Sequence, residues 1–308
     1  MWTDSAFATT LRDRFVKPEY LYRFLRGRGS SLVREIGLDK ALFRLPWNIE
    51  IIADPAEALG KALTRLAVYD LGVSETLWRL TKSGDVTVDV GANFGYMTSI
   101  MAVRSGSNGR IFAFEPHPRL YGLLCENLLL WKEKYISSLM ASVDARQLAV
   151  SDHDGDAHLR VPEDFASNKG LAFIADAPLP SDLPVNCVRL DSAFAAEQNI
   201  DLMKVDVEGH ELSVFRGAEQ LLSEGRIRHI VFEEHGGFPT TVTAFLKQFG
   251  YTFFEIGVSL FGPILGGEAN INFTPRRRWE PRSLLATLDP AGVDATFSGR
   301  GWRSLSAE

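Results

Sequence analysis

Two clusters of carboxylates and imidazoles are the residues of this chain best suited to chemistry. The first is Asp206, Glu208, His210 and Glu211, and the second is Glu233, Glu234 and His235. Each follows a run of apolar, β-branched residues with the look of a buried strand, Leu202 to Val207 and Ile227 to Glu233. Such side chains can take the proton of a weakly acidic hydroxyl, and a neutral histidine does so near neutral pH. Gathered at adjacent strand ends, they could instead hold magnesium or manganese and acidify a hydroxyl that way. No spacing forces a metal, so no residue is assigned to one. A plainer use of strand-end carboxylates is to cap the following helix, which suits Glu211. Capping does not account for Asp206, which lies on the strand itself, or for Glu233 and His235. The candidate bases are therefore Asp206 and His210, with Glu233 and His235 behind them.

A second constellation lies upstream, where DVTVDVGANFGYMTSIMAVRSGSNGRIFAFEP runs from Asp85 to Pro116. It reads as a strand, a glycine turn, a helix from Phe94 to Arg104, a second strand and then an acid. That layout builds a nucleotide-type pocket at the carboxyl edge of a parallel sheet. A dinucleotide fingerprint needs glycine at alternating positions to cradle a pyrophosphate. Here Asn93 and Tyr96 occupy its second and third glycine positions, while Glu115 stands where a carboxylate can accept two hydrogen bonds from a ribose diol. A ribose ligand without a diphosphate points to S-adenosylmethionine rather than to a nicotinamide or flavin cofactor.

The blocks DVGANFGYMT, FAFEPHP and IDLMKVDVEGHELSVFRGAEQLL occur in that order, and the stretch from Tyr69 to Phe273 resembles the FkbM family of S-adenosylmethionine-dependent methyltransferases. The resemblance implies a class I methyltransferase fold and methylation of a hydroxyl on a sugar or secondary metabolite. It implies that Asp89, Gly91, Ala92, Asn93 and Gly95 surround the methionine end of the cofactor, that Glu115 holds the ribose, and that Pro116 and His117 lie near the adenosine. Asp206 matches the acid that closes the KVD block and faces donor or acceptor. Lys204, two residues before it, shares its strand face.

These residues need a scaffold. Strands alternating with helices predict an α/β, Rossmann-like, doubly wound and mostly parallel sheet, with Gln147–Ser151 as its third strand. An antiparallel pair, Tyr251–Ile256 with Asn270–Phe273, is expected to close its edge. Residues 46–84 read as a connector and a helix near 67–82. Residues 1–45 read as amphipathic and helical, bearing Arg23, Arg26, Arg28 and Arg34. They suit a cap docked on the catalytic domain, or else a lid, a dimer arm or a contact with an acidic membrane surface. The division expected is a helical extension at 1–66, a cofactor-binding domain at 67–274 and a solvated tail at 275–308. Residues 168–170 read as a mobile segment over the substrate. Asp152, Asp154 and Asp156 read as an acidic turn, because the later ligands of a calcium loop are missing.

The chain has 308 residues, a formal net charge of −6 and two cysteines. The acidic balance argues against general nucleic-acid binding. No apolar run is long enough to span a bilayer and no signal-peptide layout opens the chain, so reduced thiols and a cytoplasmic enzyme are expected. The leading reading is methyl transfer to a hydroxyl of a sugar, glycolipid or glycosylated metabolite. A polyketide-type alcohol with metal assistance, a Rossmann oxidoreductase and a non-catalytic binding protein are the alternatives.

Overall fold

The computed structural model describes residues 32–37, 39–135, 139–161, 172–175, 179–194, 198–234, 238–271 and 282–305. Its centre is an eight-stranded sheet. The strands are β4 (Val86–Val90), β5 (Arg110–Phe114), β6 (Ser142–Arg146), β11 (Ile200–Val205), β12 (Ile227–Glu234), β13 (Thr252–Ser259), β14 (Gly262–Gly267) and β15 (Arg282–Thr287), in the spatial order β14-β13-β15-β12-β11-β4-β5-β6. The strands from β12 to β6 are parallel, and β15 enters antiparallel between β12 and β13. The order reverses at β4, which lies between β5 and β11, so a ligand crevice opens at the carboxyl ends of these three strands.

Local chemistry starts the helices that flank the crevice. Asp70 caps α2 (Leu71–Leu80), its side chain accepting from the Val73 N–H at 3.1 Å. Helix α3 (Tyr96–Ser105) follows the glycine turn. Helix α4 (Pro118–Lys134) opens with proline at its first position, where the missing N–H costs nothing. Buried Asn127 of α4 accepts from the Ile52 N–H at 2.7 Å and donates to the carbonyls of Ile52 and Phe94 at 3.0 and 2.9 Å. One amide thus ties the chain before the domain, α4 and the glycine turn together.

Several elements differ from the sequence expectation. Within the described part of residues 1–45, the chain is extended and not helical. Strands β1 (Leu32–Glu35), β2 (Ala41–Arg44) and β3 (Glu50–Ala53) form a small antiparallel sheet. Trp131 of α4 and Tyr135, just past its end, bind the backbone of Glu50 and anchor it. The 46–84 connector holds α1 (Ala58–Leu66) as well as α2. Ala149–Val150 (β7) is not the third strand of the main sheet. It joins a separate four-stranded sheet with β8 (Gly155–Arg160), β9 (Phe173–Ile174) and β10 (Leu183–Val188), and β6 takes the expected place. The antiparallel partners of β13 are β14 and β15. Gly262, at φ +138°, makes the tight return that lets β14 fold straight back, a signal weaker in the sequence than the apolar run further on. Residues 168–170 and the basic run at 276–279 lie outside the described residues.

The presumed tail is built into the core. Leu284, Leu285 and Ala286 of β15 are fully buried, and helix α9 (Pro290–Phe297) follows. Glu75 and Arg79 of α2, both fully buried, pair at 2.6 Å. Arg79 then donates to the carbonyls of Thr296, Gly299 and Gly301, while Glu75 accepts from the N–H groups of Arg303 and Ser304. Glu75 is thus a clamp on the last turn of the chain. Losing one partner leaves the other charge buried and alone. Glu75→Ala is expected to lower the unfolding free energy by about 3–5 kcal/mol in chemical denaturation. A loss below about 1 kcal/mol would show that the clamp contributes little.

Candidate functional site

The glycine turn is shaped by close approach of backbone to backbone. Gly91 sits at φ +76°, and a Cβ there would lie 1.9 Å from the Asp206 carbonyl oxygen. The Gly91 and Ala92 N–H groups both donate to the Phe114 carbonyl, at 3.0 and 2.9 Å. Asn93, at φ +51°, uses its side-chain oxygen to accept from the Phe94 N–H at 2.8 Å, and its own N–H donates to Glu115. Asparagine tolerates this left-handed geometry because its short amide can bond locally. Gly95, at φ +96°, lies where a Cβ would come 2.7 Å from Leu124.

Glu115 is buried at the end of β5. Its two oxygens accept the backbone N–H groups of Asn93 and His117, each at 2.8 Å. Burial pushes its pKa up to about 7, against the pull of those two N–H groups and of Lys204. Each carboxylate oxygen has a further acceptor direction, so a donating diol would relieve that cost. Pro116 carries the chain round to His117, which caps α4 by accepting the Arg119 N–H on Nδ1 at 3.2 Å. This gives His117 a structural task next to Glu115.

Behind the turn lies a buried cation. In the sheet register Lys204 stands opposite Asp89, and Asp206 follows on the same face. The Lys204 ammonium donates to the Gly91 carbonyl at 3.0 Å and lies 3.2 Å from Asp206 and 3.6 Å from Asp89. Burial disfavours this charge, yet Asp206 and Asp89 together hold it above the usual lysine range. Asp89 is wholly buried and accepts the Thr98 hydroxyl at 2.5 Å on one oxygen; the other has no hydrogen-bond donor. Burial raises its pKa too. That second oxygen is the one facing the Lys204 ammonium at 3.6 Å, just beyond hydrogen-bond reach. Beside the turn, the acceptor directions left open on Glu115 suit the ribose of S-adenosylmethionine.

Glu233 lies next to Asp206, one step beyond the Val205–Phe232 pair of the β11–β12 ladder. Burial, then the charges of Asp206, Asp70 and Glu208, push its pKa up to about 9. Glu208, at φ +52° in the turn after β11, is pushed to about 7 by burial and by Asp206 and Glu211. Tyr69 stands at the rim, its phenol held above its ordinary value by burial and by Asp206, Asp70, Glu233 and Glu208. Its neighbour Asp70 completes an acidic wall. Glu211 accepts the Gly209 N–H at 3.1 Å, and Glu234 accepts the Thr240 hydroxyl at 2.5 Å, so both shape local turns.

His210 takes a different direction from the wall. Its Nε2 lies 3.0 Å from the hydroxyl of buried Ser151, at the end of β7. His235 lies outside the described residues. Among the described residues, no three His, Cys, Asp or Glu side chains converge in a way that could hold a metal. Sequence reasoning passed over Asp70, weighed Tyr69 as within reach of the ligand but left it out of the site, and left the role of Lys204 open.

The description "Methyltransferase FkbM domain" matches residues 89–253, more than half of the chain. The chain belongs to this FkbM methyltransferase family. It is 27% identical to the hexuronic acid methyltransferase AglP of Haloferax volcanii over 219 residues, which is 69% of this chain and 84% of that protein. It is 29% identical to the methyltransferase sdnD of Sordaria araneosa over 200 residues, 55% of this chain and 74% of that one. Among solved structures it is similar to the methyltransferase FkbM from Methylobacillus flagellatus KT, at 16% identity and a TM-score of 0.42 over 66% of this chain. It spans 44% of that protein. It is also similar to an S-adenosylmethionine-dependent O-methyltransferase from Thermotoga maritima, at 17% identity and a TM-score of 0.40, over 80% of this chain and 76% of that one. This FkbM protein is an enzyme, an S-adenosylmethionine-dependent methyltransferase, and the dehydrogenase alternative is set aside. Among the described residues no helix is long and apolar enough to cross a membrane.

Two outcomes check this geometry. Gly91→Ala is expected to abolish S-adenosylmethionine binding in calorimetry, because its Cβ meets backbone that cannot yield. Gly84→Ala, with nothing within 4 Å, serves as the control for a positive φ alone and should bind normally. The folded protein binds the Glu233 proton more tightly than the unfolded chain does. This contribution to stability is complete below about pH 4.5 and is lost as pH rises through about 9. Glu233→Gln should therefore gain stability over the parent across that window, read as a rising difference in melting temperature. A difference that does not change with pH would place Glu233 in solvent.

Proposed function

We propose that this FkbM methyltransferase methylates a hydroxyl of a sugar or glycosylated metabolite, with Asp206 as the proton acceptor. When bound, S-adenosylmethionine supplies an electrophilic methyl group on a sulfonium. The Asp206 carboxylate, oriented by Lys204 at 3.2 Å, takes the acceptor's proton as its oxygen is alkylated, since a free alcohol is too weak an acid to ionise beforehand. Protonated Glu233 beside it donates a hydrogen bond to a second oxygen of the acceptor. Tyr69 supplies a ring and a hydroxyl at the rim, a pairing that suits a polyol. The single observation that carries this reading is the Lys204–Asp206 pair beside Glu233: a carboxylate held by an ammonium next to a second carboxyl group on the adjacent strand end. The similarity to a protein named hexuronic acid methyltransferase supports a sugar acceptor. His235 stays as a secondary candidate for proton removal, whereas His210 is turned toward Ser151. The two cysteines, both free thiols, fit a cytoplasmic home.

The test separates donor from acceptor. Glu115→Ala should weaken S-adenosylmethionine binding at least tenfold by calorimetry, the factor that one strong hydrogen-bonding group contributes. Asp206→Asn should lower methyl transfer by about 10²–10⁴-fold while changing donor affinity far less. Full activity in Asp206→Asn would remove it from the reaction, and a rate that falls on adding chelator would favour the metal route.

A further inference from the structure

We infer that Tyr96 is a positioning residue for methyl transfer: its buried hydroxyl locks Tyr69 beside the cofactor turn, where the Tyr69 ring is the face on which the acceptor sugar packs. The inference rests on the sugar-hydroxyl reading above and deepens it by naming what holds the apolar wall of the acceptor site. Tyr96 takes the third glycine position of a dinucleotide fingerprint and opens α3 directly after Gly95. A side chain thus stands where a pyrophosphate-binding turn keeps none, and it reaches from the donor half of the site to the acceptor half.

Three hydrogen bonds close a circuit at the start of α2. The Tyr69 N–H donates to the Tyr96 hydroxyl at 3.0 Å, and the Ser74 hydroxyl donates to the Tyr69 carbonyl at 2.8 Å. The two hydroxyls lie 3.2 Å apart. Ser74 uses its one proton on the carbonyl, so Tyr96 donates to Ser74. Both backbone groups of Tyr69 are therefore held by side chains. Tyr96 and Ser74 are buried, whereas Tyr69 keeps 38% of its surface exposed and so has a ring left for a ligand. That ring meets Tyr96 edge to face, with centroids 6.2 Å apart. Trp47 also packs on Tyr96, at 5.4 Å, and donates its indole N–H to Ser99 of α3 at 3.1 Å. The turn needs this restraint. Ala67 and Asp70, on either side of Tyr69, take left-handed angles of φ +64° and +36°, which a Cβ disfavours. Backbone strain of this kind persists only where the surroundings impose it, and it gathers at functional sites. The charges of Asp206 and Glu233, the groups of the proposed proton transfer, act on the Tyr69 phenol. A tyrosine held here offers an apolar face and a hydroxyl tip, which match the C–H and O–H faces of a pyranose.

A double-mutant cycle tests this. Tyr96→Phe removes the hydroxyl and keeps the aromatic packing. It is compared with the parent, Tyr69→Ala and the double variant, on the full chain with its fold verified by circular dichroism. S-adenosylhomocysteine formation with methyl glucoside and methyl glucuronide gives kcat and KM, and calorimetry gives the affinity for S-adenosylmethionine. Tyr96→Phe is expected to raise the acceptor KM about tenfold while donor affinity stays within about twofold of the parent. Tyr69→Ala should raise KM by at least about as much. Adding Tyr96→Phe to it should then change KM by less than about twofold, because the hydroxyl acts through that ring. Ser74→Ala breaks the circuit at another point and should raise KM in the same direction, so it carries the test if Tyr96→Phe does not fold. An unchanged KM in Tyr69→Ala or Tyr96→Phe overturns the inference and leaves the sugar reading standing. Effects that multiply in the double variant, or a donor affinity that falls as far as KM rises, overturn it as well. No turnover of either acceptor by the parent, with donor binding intact, sinks the sugar reading and this inference with it.

Discussion

The Lys204 ammonium is the constraint on which the rest of the site depends. A buried cation is costly unless its neighbours compensate, and here Asp89, Asp206 and the Gly91 carbonyl do so. These partners belong to two strands and the turn between donor and acceptor. The ion that makes the carboxylates tolerable in the core therefore also fixes the distance between the glycine turn and the strand end that bears Asp206. Gly91 answers the same demand from the other side, because only a residue without a Cβ lets the turn lie against the Asp206 carbonyl.

This arrangement divides the carboxyl groups by role. Those in contact with Lys204 or with backbone N–H groups have partners that favour the charged form. Burial beside other acids pushes Glu233 to about 9 and so to the protonated form at neutral pH, while Glu115 and Glu208 rise only to about 7. One sheet edge thus offers an acceptor of protons and a donor of hydrogen bonds side by side, which is what the activation of a hydroxyl among other hydroxyls requires. Similar carboxylates in separate surroundings take opposite roles.

Much of this was legible in the sequence, for reasons that differ by residue. The cofactor half is local: a strand, a turn and a strand-end acid sit within thirty or so residues, so Gly91, Asn93 and Glu115 could be read from backbone needs alone. The parallel sheet followed from alternating strands and helices. The acceptor half is not local. Asp70 and Tyr69 come to the wall because α2 packs over the sheet, and the apolar approach Leu66-Ala67-Val68 reads equally well as plain core packing. The carboxyl-terminal segment misled for a related reason. Arg282 and Ser283 open a strand whose apolar part is only Leu284, Leu285 and Ala286, too short to stand out from a tail, and its place in the sheet is set by pairing with β12 and β13. The strands at 32–53 were hidden by an amphipathic look that a two-residue period shares over so few positions.

The most direct test of this account is the affinity of Lys204→Met for S-adenosylmethionine, measured by calorimetry on protein whose fold is verified by circular dichroism. Loss of the ammonium frees the Gly91 carbonyl and leaves Asp89 and Asp206 to repel each other, so binding is expected to weaken at least tenfold, about 1.4 kcal/mol. Affinity within twofold of the parent would show that the glycine turn holds its shape without the cation, and would contradict the account.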